Sequence, residues 1–223
     1  MKRENGRSAA NHKHPRPRKP ERGSPARPVI TVFGSAQARR GGRLYAESQR
    51  MGELLGQAGF DLMTGGYDGV MEAISRGGAE AGAHVTGVTL DRFGSVVNAH
   101  VVDEIRTTNF YERFTWLIDR ADGYVAMHGG IGTLAEVVFA WQELVVGTPG
   151  ARPLILVGER WRRLLRVFRD NLIAPAKIYG ALTVVATPEA AIKLLAAHFA
   201  GAGIELSARE RRPRTGSRSA EAG

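Results

Sequence analysis

A glycine-rich turn between an apolar run and a helical pattern is the segment that most restricts the fold of this chain. The apolar residues 123–127 predict a buried strand. The spacing of Leu134, Val137 and Trp141 predicts the helix that follows. Residues 128–132 therefore lie where a strand ends and a helix begins. A strand, a tight turn and a helix in that order begin a βαβ unit, so the segment predicts an α/β fold.

Between the two ends of the chain, the same alternation of predicted strands and helices continues. Strands are predicted at residues 29–33, 60–63, 84–89, 101–105, 124–127 and 153–157. Helices are predicted at residues 44–57, 70–81, 111–121, 161–173 and 188–199, in addition to the helix from 134 onwards. Because such alternation is typical of parallel sheets covered by helices, we expect a single Rossmann-like domain of three layers with a mostly parallel sheet.

Positive charge is concentrated at the two ends of the chain. The net charge is +9 overall, but residues 1–27 carry +7, residues 207–223 carry +3, and residues 28–206 carry −1. Both ends are rich in Pro, Arg, Ser and Gly, a composition that predicts disordered basic tails around one domain at 28–206. Weak nucleic-acid contact through these tails is one interpretation. Solvated tails are favoured, since no aromatic residues lie among the charges to stack on bases.

Composition also excludes several classes of protein. The chain has no cysteine, so it has no disulfide and no thiolate metal site or thiol nucleophile. No apolar run approaches the ~18 residues of a membrane span, and the N-terminus lacks the apolar segment of a secretory signal. No two histidines have the H-x-x-x-H spacing of a metal-binding pair on a helix. We therefore expect a cytoplasmic protein without a membrane segment.

Glycine turns follow three of the predicted strands and suggest one shared site. In an open α/β sheet, ligands bind outside the carboxyl ends of the strands, where all three turns fall. Free N–H groups at a helix N-terminus attract a phosphate, and Glu136 lies one turn further along that helix. The candidate substrate-binding residues are Gly34, Ser35, Gly65, Gly66, Asn109, Gly129, Gly130, Gly132 and Thr133. For Asn109, helix capping is an equally good explanation.

These motifs resemble the LOG (Lonely Guy) family, which carries the old label "possible lysine decarboxylase". The family signature Pro-Gly-Gly-x-Gly-Thr-x-x-Glu corresponds to residues 128–136, with His128 in place of the proline. Arg113 stands where the family has an arginine upstream, and Phe114 replaces the lysine that commonly follows it. The resemblance covers about residues 28–200, in order, and the two replacements suggest a divergent branch.

The resemblance implies an enzyme with a Rossmann-like fold and no metal or organic cofactor. Family members are similar to phosphoribohydrolases, which cleave the N-glycosidic bond of a purine or cytokinin nucleoside 5′-monophosphate to free base and ribose 5-phosphate. It implies that Arg113 and Glu136 are the catalytic pair. It also implies a homodimer or higher homo-oligomer, with the helix at 111–121 as a candidate dimer face.

The same residues are compatible with different functions. The strongest alternative is a non-catalytic binder or carrier of a nucleotide or phosphate-bearing cofactor, similar to molybdenum cofactor carriers. A dinucleotide enzyme is disfavoured because the glycine motif comes late in the chain. Literal lysine decarboxylation is disfavoured because the core offers only Lys177 and Lys193 as Schiff-base residues. Arg113 could instead pair with Glu112 or Asp119 on the surface, and His128 could contact a ligand or be a tolerated replacement.

Glu72 and Arg76 have the spacing of neighbours on one helix face. Residues four apart on a helix lie side by side, so an acidic and a basic residue at this spacing predict an ion pair on the surface. Asp68, in the preceding turn, is expected to be a turn or capping residue rather than a ligand.

Overall fold

The computed structural model describes residues 27–147 and 152–206, which form three layers, with a sheet between two sets of helices. The strands are β1 (Val29–Phe33), β2 (Asp61–Thr64), β3 (Val85–Leu90), β4 (Asp103–Thr107), β5 (Gly123–Ala126), β6 (Leu154–Val157) and β7 (Leu182–Val185). The helices are α1 (Arg43–Gln57), α2 (Val70–Glu80), α3 (Phe110–Asp119), α4 (Ile131–Val146), α5 (Glu159–Asn171) and α6 (Pro188–Gly201). Two short 3₁₀ helices span Asp91–Phe93 and Ala176–Ala181.

The sheet is parallel throughout and has the order β4-β3-β2-β1-β5-β6-β7. The chain builds outwards from β1 to β4 and then returns to place β5 on the other side of β1. The direction in which successive strands are added to the sheet therefore reverses between β1 and β5. In an α/β sheet, the ligand-binding crevice lies at such a switch point. The turns after β1, β2 and β5 are the three glycine turns singled out in the sequence. The predicted Rossmann-like domain is confirmed.

Two apolar clusters hold the helices to the sheet. One contains residues of α1, α2 and α6, and the other contains residues of α3, α4 and α5. Neighbouring residues of β1 pack on opposite faces of the sheet, since Val32 belongs to the first cluster and Phe33 to the second. Every residue of β5 and β6 is buried, as expected for central strands covered on both faces.

Glycines bring α1 and α2 into close contact. A Cβ atom at Gly52 would lie 2.2 Å from the carbonyl oxygen of Ile74, and one at Gly77 would lie 2.0 Å from that of Gln49. Any side chain at either position would push the helices apart. This contact fixes the position of α2, which follows the glycine turn of β2.

The predicted elements are all present, with bounds that shift by at most three residues, and three further elements, β7 and the two 3₁₀ helices, were missed. β7 and the 3₁₀ helix before it lie in residues 174–187, for which no element was predicted. The run from Leu182 to Val185 has the β-branched composition of a strand, and this signal could have revealed it.

Arg27 belongs to the folded unit, although the sequence analysis placed it in the predicted N-terminal tail. Its guanidinium donates to the carbonyl oxygens of Gly56, Gly59 and Gly82 and pairs with Asp61 at 3.3 Å. The remaining predicted tail residues, 1–26 and 207–223, lie outside the described residues. Within the described ranges, no helix combines the length and the apolar character that crossing a membrane requires.

Candidate active site

A buried ion pair joins α3 to α4 beside the carboxyl edge of the sheet. Arg113 Nη1 donates to Glu136 Oε1 at 2.9 Å, and the two side chains are only 6% and 11% exposed. Arg113 Nε also donates to the carbonyl oxygen of Val88 at 2.9 Å. The alternative in which Arg113 pairs on the surface with Glu112 or Asp119 is therefore wrong. The structure brings together the two residues that the family resemblance singled out.

The burial of Glu136 changes its acid strength. Removal of the carboxylate from water raises its pKa above the usual 4.5, and the nearby Arg113 guanidinium opposes but does not cancel this effect. Such a carboxylate is a stronger base than an exposed one. A raised pKa in a partly closed site is typical of groups that handle protons or stabilise developing positive charge.

Gly65 provides the space that the Arg113 guanidinium occupies. A Cβ at position 65 would lie 2.1 Å from Arg113 Nη2 and 2.6 Å from the sulfur of Met71. Gly66, the next residue, has φ +80°, which favours glycine. Both glycines are buried, so their contribution to the site is to shape the wall behind Arg113. Contact of Gly65 and Gly66 with a ligand remains a prediction.

The amino end of α4 is open on the side where a ligand is expected. The N-cap residue, Gly130, is extended, and no described side chain caps the helix. Cβ atoms at Gly130 and Gly132 would meet no described atom within 4 Å. The N–H groups of the first helical turn have no partner within a helix, so an exposed amino end without a side-chain cap has the features of an anion site. Their contact with a phosphate remains a prediction.

Thr133 and Gly129 pack against each other at the base of this opening. A Cβ at Gly129 would lie 2.0 Å from Thr133 Oγ1, so only glycine leaves room for the hydroxyl. Thr133 itself is buried. The hydroxyl is thus held at the entrance of α4, three residues before Glu136, which places the two side chains on neighbouring parts of one helix face.

Ser35 links the three elements around the crevice. Its N–H donates to the carbonyl oxygen of His128 at 3.1 Å, and its carbonyl oxygen accepts from the N–H of Val70 at 2.8 Å. Its hydroxyl accepts from the N–H of Gln37 and keeps its own proton for another acceptor. Gly34 makes this junction possible, because a Cβ there would lie 2.2 Å from Cγ1 of Val70.

Asn109 is the N-cap of α3. Its Oδ1 accepts from the N–H of Glu112 at 2.9 Å, and its Nδ2 donates to the hydroxyl of Thr108. The structure therefore demonstrates the capping explanation. The alternative role in substrate binding stays a prediction, because the side chain is exposed beside the site.

His128 and Phe114, which replace the proline and the lysine of the family pattern, have different surroundings. The His128 ring lies against Gly158 at the start of α5, and burial together with Arg160 lowers its pKa below 6.5. This lowered pKa favours the neutral form of His128. Phe114 packs against the rings of Phe110 and Phe139, which supports its interpretation as a packing residue.

A second buried carboxylate near the crevice has a partner other than the predicted one. Glu72 is buried in the first turn of α2 and pairs with Arg40 of the β1–α1 loop. Arg76 pairs with Glu80 instead. The predicted Glu72–Arg76 pair is thus wrong: helical spacing places them as neighbours, but burial of Glu72 directs its carboxylate towards the loop. Nothing in the local spacing signals a partner 32 residues away.

Comparison with known proteins places this arrangement in a family. The model of the SLOG cluster4 family matches residues 27–159, which include every element of the site. The chain belongs to the SLOG cluster4 family. A solved structure, the molybdenum cofactor binding protein of Rippkaea orientalis, superposes on this SLOG protein with a TM-score of 0.64 at 24% identity. That match covers 78% of this chain and 98% of that one, and it shows the shared fold.

Curated relatives of this SLOG cluster4 member confirm the resemblance to the LOG family. A probable cytokinin riboside 5′-monophosphate phosphoribohydrolase of Oryza sativa subsp. japonica, LOGL9, is 32% identical over 66% of this chain and 66% of its own length. The cytokinin riboside 5′-monophosphate phosphoribohydrolase of Rhodococcoides fascians is 26% identical over 73% of this chain and 93% of its own length. Phosphoribohydrolase activity is thus supported at the level of the family.

Proposed function

We propose that this protein hydrolyses the N-glycosidic bond of a purine nucleoside 5′-monophosphate and releases free base and ribose 5-phosphate. The observation that carries the proposal is the buried Arg113–Glu136 pair, held one turn inside the helix whose amino end is open to an anion. A phosphate and a reacting sugar carbon are a few ångströms apart in such a substrate. The N–H groups of residues 130–133, which we call the anion cradle, and the Glu136 carboxylate have a comparable separation, because residues three apart on a helix have Cβ atoms about 5–6 Å apart.

Each residue has a defined part in this reaction. Backbone N–H groups of residues 130–133 and the Thr133 hydroxyl hold the 5′-phosphate, and the Ser35 hydroxyl assists. Glu136 faces the sugar, where it stabilises the positive charge that develops on C1′ and orients the attacking water. Arg113 keeps Glu136 ionised and in place. Water oxygen bonds to C1′, the C1′–N bond breaks, and the base leaves with the electron pair and a proton from water.

Chromatographic detection of free base tests the proposal directly. AMP and N6-isopentenyl-AMP are incubated with wild type and with Glu136→Gln, which keeps the shape of the side chain and removes its charge. Wild type is expected to release base, and the variant to be slower by about 100-fold or more, as for loss of a general acid–base group. Glu143→Gln, at an exposed position of the same helix, is the matched control and should retain full activity. Absence of base release by wild type from both nucleotides contradicts the proposal.

The second candidate is a non-catalytic binder of a nucleotide or a phosphate-bearing cofactor. Its supporting observation is the near-complete burial of Glu136, which leaves only 11% of the side chain to meet a ligand. The two candidates differ in one result. A binder is stabilised by AMP in a thermal-shift assay without releasing adenine, whereas the proposed hydrolase does both.

The protein is also proposed to act as a homodimer. Ile131, Val138 and Val145 are exposed and spaced seven residues apart, so they form one apolar stripe along the outer side of α4. The helix nominated from the sequence, α3, packs against the same α4. Because α4 carries Glu136 and the anion cradle, a partner seated on the stripe would lie next to the site.

A further inference from the structure

The most basic helix in the described part of the chain is α5. It carries five arginines and two acidic residues, whereas residues 28–206 as a whole carry a net charge of −1. Its apolar side packs towards the sheet, since Trp161 is buried and Leu164, Leu165 and Phe168 are partly buried against the second apolar cluster. All five arginines are exposed. The outer side of α5 is therefore a basic surface on a domain that has no excess of positive charge.

A groove of about 240 Å³ lies between α5 and β7. Part of its wall is apolar or aromatic and is formed by Tyr179, Leu182 and Val184. Three of the five arginines of α5 also line it, and these are Arg162, Arg166 and Arg169. Because these arginines are four and three residues apart, they lie on one side of the helix. We call this space the α5 groove.

The α5 groove is separate from the candidate active site. β7 is the last strand of the sheet and lies two strands away from β5, which corresponds to roughly 10 Å between backbones. Tyr179 precedes β7 and Leu182 begins it, so the groove extends towards the amino edge of the sheet. The glycine turns of the candidate active site lie at the carboxyl edge. A ligand of the α5 groove is therefore distinct from the sugar phosphate proposed for the crevice.

The three guanidinium groups of the α5 groove differ in their partners. Arg162 pairs with Glu159. The guanidinium carbon of Arg169 lies over the Tyr179 ring, 5.1 Å from its centroid, and this cation–π contact orients the group. Arg166, between them, has no acidic or hydrogen-bonding partner among the described residues. Within the described part of the chain, two of the three positive charges thus have no carboxylate beside them.

Tyr179 provides an independent indication that the α5 groove takes a ligand. Its side chain is buried, and its hydroxyl has no hydrogen-bond partner among the described residues. Buried polar atoms are nearly always paired, and a ligand or an ordered water supplies the partner where the protein does not. The arginines add a second reason, because like charges three and four residues apart on a helix repel each other. An anion between the guanidinium groups removes that repulsion.

We propose that the α5 groove is a second anion site, which binds a dianionic phosphate group, either as free phosphate or as part of a small phosphate monoester. The two guanidinium groups without a carboxylate match the charge of a phosphate monoester, about −1.5 to −2 at pH 7. Their N–H groups form paired hydrogen bonds with phosphate oxygens. The small volume of the groove favours such a ligand over a nucleic-acid strand.

Calorimetric titration of the full-length protein tests this site. Inorganic phosphate and glycerol 3-phosphate are titrated into wild type, Arg166→Gln and Arg163→Gln. Loss of the Arg166 guanidinium is expected to weaken binding by about 10-fold or more, as for loss of a hydrogen bond to a charged group. Arg163→Gln removes the same charge from α5 outside the groove, so it is the matched control and should bind like wild type. Equal affinities identify free phosphate as a sufficient ligand, and tighter binding of glycerol 3-phosphate identifies a monoester.

Binding at the α5 groove is distinguished from binding at the anion cradle by a further variant. Gly132→Asp places a carboxylate in the open space before α4, so it should repel anions from the cradle and keep the Arg166-dependent binding. The titrations do not involve base release, so failure of the proposed hydrolysis leaves their outcome unchanged.

Four results overturn the second anion site. They are no binding of either phosphate by wild type, equal losses in Arg166→Gln and Arg163→Gln, unchanged binding in Arg166→Gln, and complete loss of binding in Gly132→Asp. A single-stranded oligonucleotide is titrated in parallel. If it binds in an Arg166-dependent way while the two small phosphates do not, the groove is a nucleic-acid surface and the proposal is wrong.

Discussion

The position of the Arg113 guanidinium depends on Gly65, which has no side chain to fill that space. The guanidinium is fixed at Nε by the carbonyl oxygen of Val88 and at Nη1 by Glu136, and its third nitrogen occupies the space left by Gly65. An arginine with a free end would move aside for a methyl group. This one is held at two points, so it cannot yield without losing a hydrogen bond.

Substitution of Gly65 by Ala is therefore expected to impair catalysis more than folding. The new Cβ would lie 2.1 Å from Arg113 Nη2, so the guanidinium must shift, and a catalytic group displaced by about 1 Å loses on the order of 100-fold in rate. The measurement is kcat for base release, with thermal unfolding recorded in parallel. Gly180→Ala is the matched control, since its Cβ meets no described atom within 4 Å. Activity of Gly65→Ala equal to that of wild type would show that the placement of Arg113 is unimportant.

The raised pKa of Glu136 predicts the acid side of the pH profile. Burial disfavours the charged carboxylate, so the group takes up a proton at a higher pH than the usual 4.5. The proposed reaction needs the carboxylate form, so kcat/KM should fall as pH decreases through a value above 4.5. A profile of kcat/KM against pH checks this, and Glu143→Gln should leave the midpoint unchanged. A midpoint at or below 4.5 is incompatible with Glu136 as the essential base.

At the scale of elements, the sequence was most informative where local chemistry decides the structure. The turns after β1, β2 and β5 require glycine for close approach or positive φ, so glycine marks them in the sequence, as at Gly66. Buried strands such as β6 are apolar throughout and were correctly predicted. β7 has the same length as β6, but only one of its four residues is buried and Thr183 interrupts its apolar run, so its β-branched composition is a weaker signal. Its place in the sheet depends on pairing with β6.

Long-range contacts at the site were predictable only in part. The alternative surface partners of Arg113, Glu112 and Asp119, belong to the same predicted helix, and only the family resemblance favoured Glu136. The bond between Arg113 and the Val88 carbonyl, and that between Arg40 and Glu72, join residues 25 and 32 positions apart. Neither leaves a periodic signal, because each depends on how the helices are placed over the sheet. The contacts among the rings of Tyr67, Phe93, Phe110, Phe114 and Phe139 likewise join four separate segments of the chain.

At the scale of the whole molecule, a low net charge and an exposed apolar stripe both favour association of two copies. The net charge of residues 28–206 is only −1, so charge repulsion between two copies of this part is weak. The stripe of Ile131, Val138 and Val145 exposes apolar side chains to water on the outer side of α4. Burial of this stripe against a second copy removes apolar area from water, which favours association.

Val138 lies at the centre of the stripe, so its substitution tests the proposed dimer. The full-length wild type is expected to sediment at twice the mass of the chain at micromolar concentration. Val138→Glu places a charge at the point of contact on each copy, and burying two unpaired carboxylates is costly, so this variant should sediment as a monomer. Val167→Glu, at an exposed position of α5, is the control and should remain dimeric. A monomeric wild type, or a dimer that persists in Val138→Glu, would show that α4 is not the interface. Because α4 also carries Glu136, base release should decline in the monomeric variant if the partner completes the site.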